Sequence, residues 1–192
     1  ENCDYLIELD SVMGDGDLGL TMSRGFAAVD QAMQEFGDSD MGKMLVTAGM
    51  VLARSAPSTM GTLIGSGFIH GGRAITGLDT MTVKDLSRFF LALVEGIMAR
   101  GRSGVGEKTV VDALNPAAQF LLQCSERNLT SFAECLEQAF QSSADGVDKT
   151  KGMKSVHGRG AYYGEASVGK QDPGATAGSL IVKGFLQGLH SK

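Results

Sequence analysis

The sequence predicts an all-α protein, an antiparallel bundle or barrel of about eight amphipathic helices. Three observations carry this. Apolar residues recur at three- and four-residue steps through most of the chain, helix N-cap residues stand where those runs begin, and no convincing apolar–polar alternation marks a strand.

The elements follow in order. Residues 3–12 read as a short helical piece. From Leu20, the residues Met22, Phe26, Val29, Met33 and Phe36 line one face of a helix that Gly37 stops. Asp38-Ser39-Asp40 offers N-caps for the next helix, with Met44, Leu45, Ala48, Val51 and Leu52 inward and an end near Pro57. Ser58 to Thr62 reads as a small-residue bend before a glycine-rich, closely packed helix over about 63–73. Thr82-Val83-Lys84-Asp85 is a capping box with Asp in place of Glu, opening a strong helix through Leu86, Phe89, Phe90, Leu93, Val94 and Ile97. Another helix covers 107–123, with Pro116 inside it. Ser131-Phe132-Ala133-Glu134 is a second capping box, whose helix lasts to about Asp145. Residues 146–174 carry seven glycines and no period, and so read as a long functional loop. A last helix covers about 175–189.

Composition narrows the function. The 192 residues suit one domain, taken as 1–192, with a full core. A net charge of −5 argues against nucleic acid as the main partner. No apolar run approaches a membrane span and no signal peptide opens the chain. Three cysteines without CxxC spacing read as thiols of a reducing compartment, so the expected location is cytoplasmic.

The chemistry concentrates in residues 9–22. Asp10, Asp15 and Asp17 fall within eight residues, interleaved with Gly14, Gly16 and Gly19. Two carboxylates about 5 Å apart repel by roughly 3 kcal/mol at an effective dielectric near 20. A fold keeps them together when they splay into water or when a cation sits among them. The glycines favour the cation, and hard oxygen donors suit Mg²⁺ or Ca²⁺. An EF-hand is excluded, because no acidic residue lies twelve positions along. A solvated Asp-Gly turn is the alternative on spacing alone. Residues 101–109 (GRSGVGEKT) invite a P-loop reading that fails: Glu107 displaces the lysine by one position, and a helix rather than a strand precedes it.

Three stretches together identify a family. Leu9-Asp10 with Gly14-Asp15-Gly16-Asp17, then SGVGEKTVVDALNP to Pro116, then GRGAYYGEASVGKQDPGAT from Gly158 resemble the ADP-binding L subunits of bacterial dihydroxyacetone kinases. They also resemble the C-terminal half of single-chain dihydroxyacetone kinases. The resemblance runs through nearly the whole chain and implies a barrel of eight antiparallel helices with the nucleotide at one end. It implies that Asp10, Asp15 and Asp17 chelate two Mg²⁺ ions bridging the phosphates of ADP or ATP, and that Leu18, Gly19, Leu20 and Thr21 contact nucleotide at the next helix start. Thr59 and Met60 match a second nucleotide loop, and Gly101 and Val110 match positions near the adenine. Arg159, with Asp172, Pro173 and Gly174, matches a loop that closes over the nucleotide. Arg159 and the three aspartates are therefore the implied catalytic set.

The sequence also departs from the family pattern. Leu18 stands where members carry His, and Met60 where they carry Ser. His157-Gly158-Arg159-Gly160-Ala161-Tyr162 replaces Lys-Gly-Arg-Ala-Ser-Tyr, and Ala166 replaces a second arginine. These changes thin the polar contacts to nucleotide and leave the acidic set intact. Members also carry one more N-terminal helix, so the natural protein is expected to begin earlier.

Two function classes follow. In the first, the chain presents Mg-nucleotide to a short ketose held on a separate K-type subunit, with a phosphotransferase-system protein as a candidate phosphoryl donor. In the second, it is a nucleotide-sensing module with reduced catalysis, or serves another ketose. His70, His157 and His190 read as scattered, with no carboxylate beside them. Lys108, Thr109 and Asp112 read either as near the nucleotide or as tethers of their own helix.

Overall fold

The structure is a computed structural model that describes residues 2–189; His190 lies outside them. Eight α-helices occur among the described residues, and no strand. They are α1 (Cys3–Asp10), α2 (Leu18–Gln34), α3 (Met41–Ser55), α4 (Thr59–Ala74), α5 (Val83–Gly101), α6 (Val111–Glu126), α7 (Phe132–Lys149) and α8 (Pro173–Gly188). Each helix packs on the next in sequence, and α8 also touches α1, which closes the ring. Short connections favour antiparallel neighbours from α1 to α7, and the longer segment 150–172 returns the chain to the same end before α8 begins. The even-numbered helices therefore all begin at the same end of the barrel.

Local chemistry sets the boundaries. Thr82 and Asp85 form the reciprocal capping box at α5, each side chain accepting from the other residue's backbone N–H. Asp40, Ser58, Ser131 and Asp172 cap α3, α4, α7 and α8 with side-chain oxygens. Ser58 moves the start of α4 to Thr59, so residues 59–62 are its first turn rather than a bend. The sixth helix begins at Val111, later than expected, because residues 102–110 are held as a loop. Pro116 stays inside α6 and leaves the Asp112 carbonyl without its usual i+4 donor; α7 approaches that carbonyl at Gly146.

The core lies between α3, α4, α5, α6, α7 and α8. Phe89 and Phe90 are fully buried, with edge-to-face rings 5.3 Å apart, and Phe185 meets Phe90 at 5.3 Å. The glycine-rich α4 is closely packed, as its composition suggested. A Cβ at Gly49 of α3 would stand 2.6 Å from the Gly65 carbonyl of α4, and one at Gly42 the same distance from that of Gly72. An apolar cavity of about 1150 Å³, lined by Phe26, Phe68 and Phe185 among others, opens between α1, α2, α3 and α8. Cys124 and Cys135 are buried free thiols, and burial together with the neighbouring thiol pushes Cys135 up to about 12, so it is inert. No helix among the described residues is long and apolar enough to cross a membrane.

The segment after α7 is not a featureless loop. Helix α7 runs on to Lys149, residues 150–152 form a 3-10 turn, and 159–167 form two more across a kink at Gly164. Polar bonds order the segment in place of apolar contacts. Ser155 N donates to Ser167 Oγ at 2.9 Å, Gly169 N to the Lys151 carbonyl at 2.7 Å, and Asp172 N to Thr150 Oγ1 at 3.0 Å.

Candidate functional site

A cleft of about 580 Å³ lies at the end where α2, α4, α6 and α8 begin. Its wall includes Asp17 and Leu18 at the start of α2, Ser58 and Thr59 at that of α4, Val110 before α6, and Asp172, Pro173 and Gly174 at the start of α8. Four helix N-termini around one space make a positive field, and the first-turn N–H groups not taken by the caps can donate to a polyanion.

Opposite charge sits beside that field. Asp10 ends α1, and Asp15 and Asp17 follow in the turn before α2. One carboxylate oxygen from each lies within 4.8 Å of the others. Gly14 is required here because a Cβ would run into the Asp10 carboxylate, and Gly16 turns the chain at φ 73°. Asp10 is buried, whereas Asp15 and Asp17 are exposed. Burial chiefly, then the charges of Asp15 and Asp17, raise the Asp10 carboxyl above the usual range, against a 3.4 Å hydrogen bond from Leu18 N. A carboxylate held in this way lacks compensating charge, and three hard oxygen donors suit Mg²⁺.

The segment 153–172 forms the far wall. Gly158, at φ 61° and ψ −153°, takes a backbone conformation that is essentially glycine's alone. It sends its neighbours in different directions: Arg159 Nη2 reaches Asp15 Oδ2 at 2.5 Å, and His157 Nε2 reaches Glu107 Oε2 at 2.6 Å. The expectation that no carboxylate stands beside His157 is thus corrected; Glu107 comes from fifty residues away. Asp172 caps α8 by accepting from Ala175 N at 2.7 Å. It is 9% exposed, and burial raises its carboxyl to about 6 despite the helix N–H and the Lys108 charge.

Of the residues singled out by sequence, Asp10, Asp15, Asp17, Leu18, Thr59, Met60, Gly101, Val110, Arg159, Asp172, Pro173 and Gly174 all line the cleft. Gly19, Leu20 and Thr21 do not. Gly19 lies against the Cys3 carbonyl and Ile7 of α1, and Leu20 is 47% exposed. Thr21 N is taken by the Asp17 carbonyl, so among the three only Gly19 and Leu20 keep helix-start N–H groups. Leu18 and Met60 pack with Leu6, Met22 and Ala177 as an apolar floor, so their departure from polar residues changes the floor and not the acidic set.

Sequence reasoning left Lys108 undecided. The structure buries it at 2% exposure and surrounds its Nζ with the carbonyls of Thr150, Met153, Ser167 and Lys170 at 3.0, 3.2, 2.7 and 2.6 Å. Burial lowers its pKa, against the charge of Asp172. The loop 102–110 that carries it is tied by Asp112, which accepts from Gly106 N and Thr109 N, and by Glu107, which accepts from Gly104 N. A lysine two residues beyond a Ser-Gly-Val-Gly run gave no spacing signal for this role.

Comparison with known proteins gives a consistent picture. The family model described as the DAK2 domain matches residues 12–187. The ADP-binding subunit DhaL of the PEP-dependent dihydroxyacetone kinase of Escherichia coli is 37% identical over 174 residues, covering 91% of this chain and 82% of that protein. The ADP-binding subunit DhaL of PEP-dependent dihydroxyacetone kinase 1 of Listeria innocua is 35% identical over 187 residues, covering 97% and 88%. The crystal structure of the dihydroxyacetone kinase from C. freundii in complex with AMP-PNP and Mg²⁺ superposes with a TM-score of 0.71 at 22% identity, over 97% of this chain and 31% of that one, and so shares its fold.

Proposed function

The chain belongs to the DAK2 domain family, and on that premise we propose that it is the nucleotide-binding subunit of a dihydroxyacetone kinase, presenting Mg-ADP or Mg-ATP for phosphoryl transfer to a ketose held on a K-type partner. Its enzyme class is phosphotransferase, as in the kinase subunits it resembles. The observation that carries the reading is the cleft itself: four helix N-termini and Arg159 face three clustered carboxylates. Such a pairing of donors for an anion with donors for a cation fits a metal–phosphate ligand and little else.

Asp10, Asp15 and Asp17 would hold Mg²⁺, two ions as the resemblance implies. Bound there, Mg²⁺ supplies the positive charge that neutralises phosphate oxygens and draws them into line. The protein's own groups do the rest. The N–H groups at the starts of α2 and α4 orient phosphate oxygens. Arg159, a permanent cation with a forked donor set, moves from Asp15 to phosphate as the ligand arrives. Pro173 and Gly174 let the start of α8 approach closely, and the apolar floor of Leu18 and Met60 keeps water from the reacting end. Phosphoryl transfer asks mostly for positioning and charge neutralisation, and both are available here. The donor that recharges the nucleotide is proposed to be a phosphotransferase-system protein. We propose that the subunit works in the reducing cytoplasm, a reading that its three free cysteines support.

Titration calorimetry tests the site. Mg-ADP should bind wild type, and EDTA should abolish binding. Asp15→Asn should keep its far-ultraviolet circular dichroism while losing Mg²⁺-dependent affinity. At one hundred times the dissociation constant, the ligand should add about 2.7 kcal/mol to wild-type stability. Equal affinity in the Asn variant would remove the acidic set from the mechanism.

A further inference from the structure

We infer that Lys108 is a positioning residue: its ammonium gathers both arms of the 150–172 segment and so holds Asp172 in the cleft and anchors the two ends of the arc that carries Arg159. The inference rests on reading the cleft as a nucleotide site. Two of the carbonyls around Nζ, those of Thr150 and Met153, come from the incoming arm, and two, those of Ser167 and Lys170, from the outgoing arm. An ammonium has three protons, so four acceptors share them, and none is left for a ligand. Lys108 lines the cleft but points its charge at the backbone beneath it, unlike a phosphate-binding lysine.

The backbone supports the same conclusion. Lys108 sits in the left-handed region at φ 59°, where a glycine would be at ease, and Gly106 two residues earlier does adopt φ 90°. A side chain kept at such a position points to a need for that side chain. The surroundings are polar but closed. Thr150 is fully buried, and its hydroxyl accepts from Asp172 N, so the cage leads directly to the α8 cap. Ser167 is fully buried too and holds Ser155 N. Between these fixed points the chain runs from Val156 to Ala166. Exposure is high there, with Val156 at 55% and Tyr162 at 91%, and this stretch carries His157 and Arg159. Lys108 thus divides the segment into a fixed base and an arc, and only the arc is free to close over a ligand. Removing the charge would leave four carbonyls facing one another across the base.

Hydrogen exchange read by mass spectrometry tests this, with Mg-ADP calorimetry beside it. Lys108→Met keeps the chain length and removes the charge. Peptides covering 150–171 should exchange about tenfold faster in the variant, while peptides from α3, α4 and α5 are unchanged. Mg-ADP affinity should fall by about ten- to a hundredfold, the range for groups that orient ligating side chains without touching the ligand. In Lys108→Ala, propylammonium replaces the missing atoms and should restore both slow exchange and affinity, whereas tetramethylammonium at equal ionic strength should not. Unchanged exchange in 150–171, a uniform rise across all helices, or equal effects of the two amines would each overturn the inference. If wild type fails to bind Mg-ADP, the functional reading falls, and the exchange and rescue measurements still decide the role of Lys108 in placing the segment.

Discussion

Asp172 shows how a single buried carboxyl can be tolerated for its position. Its folded value of about 6 lies above the ordinary 3.8, with burial as the main cause. The folded state therefore keeps a proton that the unfolded chain releases between about pH 4 and 6. Asp172 favours folding below that window and opposes it as pH rises through 6, by roughly 3 kcal/mol at neutral pH. Asn caps a helix as well as Asp does. Asp172→Asn should thus melt higher than wild type at pH 7.5, with the gain fading to nothing near pH 4; thermal melts across that range measure it, and a gain that grows with acidity would contradict the assignment. The acidic residues of the site were legible in the sequence because Asp10, Asp15 and Asp17 lie close together in it. The pairing of His157 with Glu107 and the cage around Lys108 were not legible. Each joins groups more than forty residues apart, and neither a lone histidine nor a lone lysine announces its acceptor.

Among the elements, those with strong periodicity and a cap, such as α5 and α7, were legible in the sequence at their starts. Boundaries moved where a single side chain decides them. Ser58 accepting from Gly61 N pulls α4 back to Thr59, and Asp172 pulls α8 back to Pro173. The 3-10 turns after α7 carry no apolar period, because polar bonds hold them. The α3–α4 pair tests how far glycine spacing dictates helix approach. Gly42 faces Gly72 and Gly49 faces Gly65, seven residues apart on each helix, and a Cβ at any of the four would stand under 3.0 Å from the facing carbonyl. Gly49→Ala should therefore force the helices apart and cost about 1–3 kcal/mol, despite the better helix propensity of alanine. Gly184 in α8 has nothing within 4 Å of its Cβ position. Gly184→Ala should stabilise by about 0.5–1 kcal/mol, so the same substitution takes opposite signs on two helices. Denaturant melts of the two variants check both; destabilisation by Gly184→Ala, or neutrality of Gly49→Ala, would refute the packing argument.

At the scale of the whole molecule, antiparallel closure explains why one end is chemically different from the other. Even-numbered helices deliver N-termini to the cleft end, and α1 delivers Asp10 there with its C-terminus. The resemblance placed the nucleotide at one end, but the alternation of helix direction supplies the physical reason. Several of the exposed apolar residues belong to the loops at that end: Val12 beside the acidic turn at 46%, Val105 at 57%, Val156 at 55% and Tyr162 at 91%. Val105 and Val156 belong to the two loops that the Glu107–His157 contact ties together, and Tyr162 lies two residues past Gly160 of the cleft wall. A transfer site that must exclude water needs its open side covered, and the proposed K-type partner would bring both the cover and the ketose. The purified chain with Mg-ATP should therefore leave dihydroxyacetone unphosphorylated, and adding a K-type subunit should start turnover in a coupled assay. Tyr162→Glu should leave Mg-ADP affinity unchanged, because the ring is almost wholly exposed, while it raises the concentration of partner needed for half-maximal rate by about tenfold or more. Turnover by the chain alone would place the ketose on this subunit, and a Tyr162→Glu variant with wild-type partner dependence would move the docking surface away from the cleft rim.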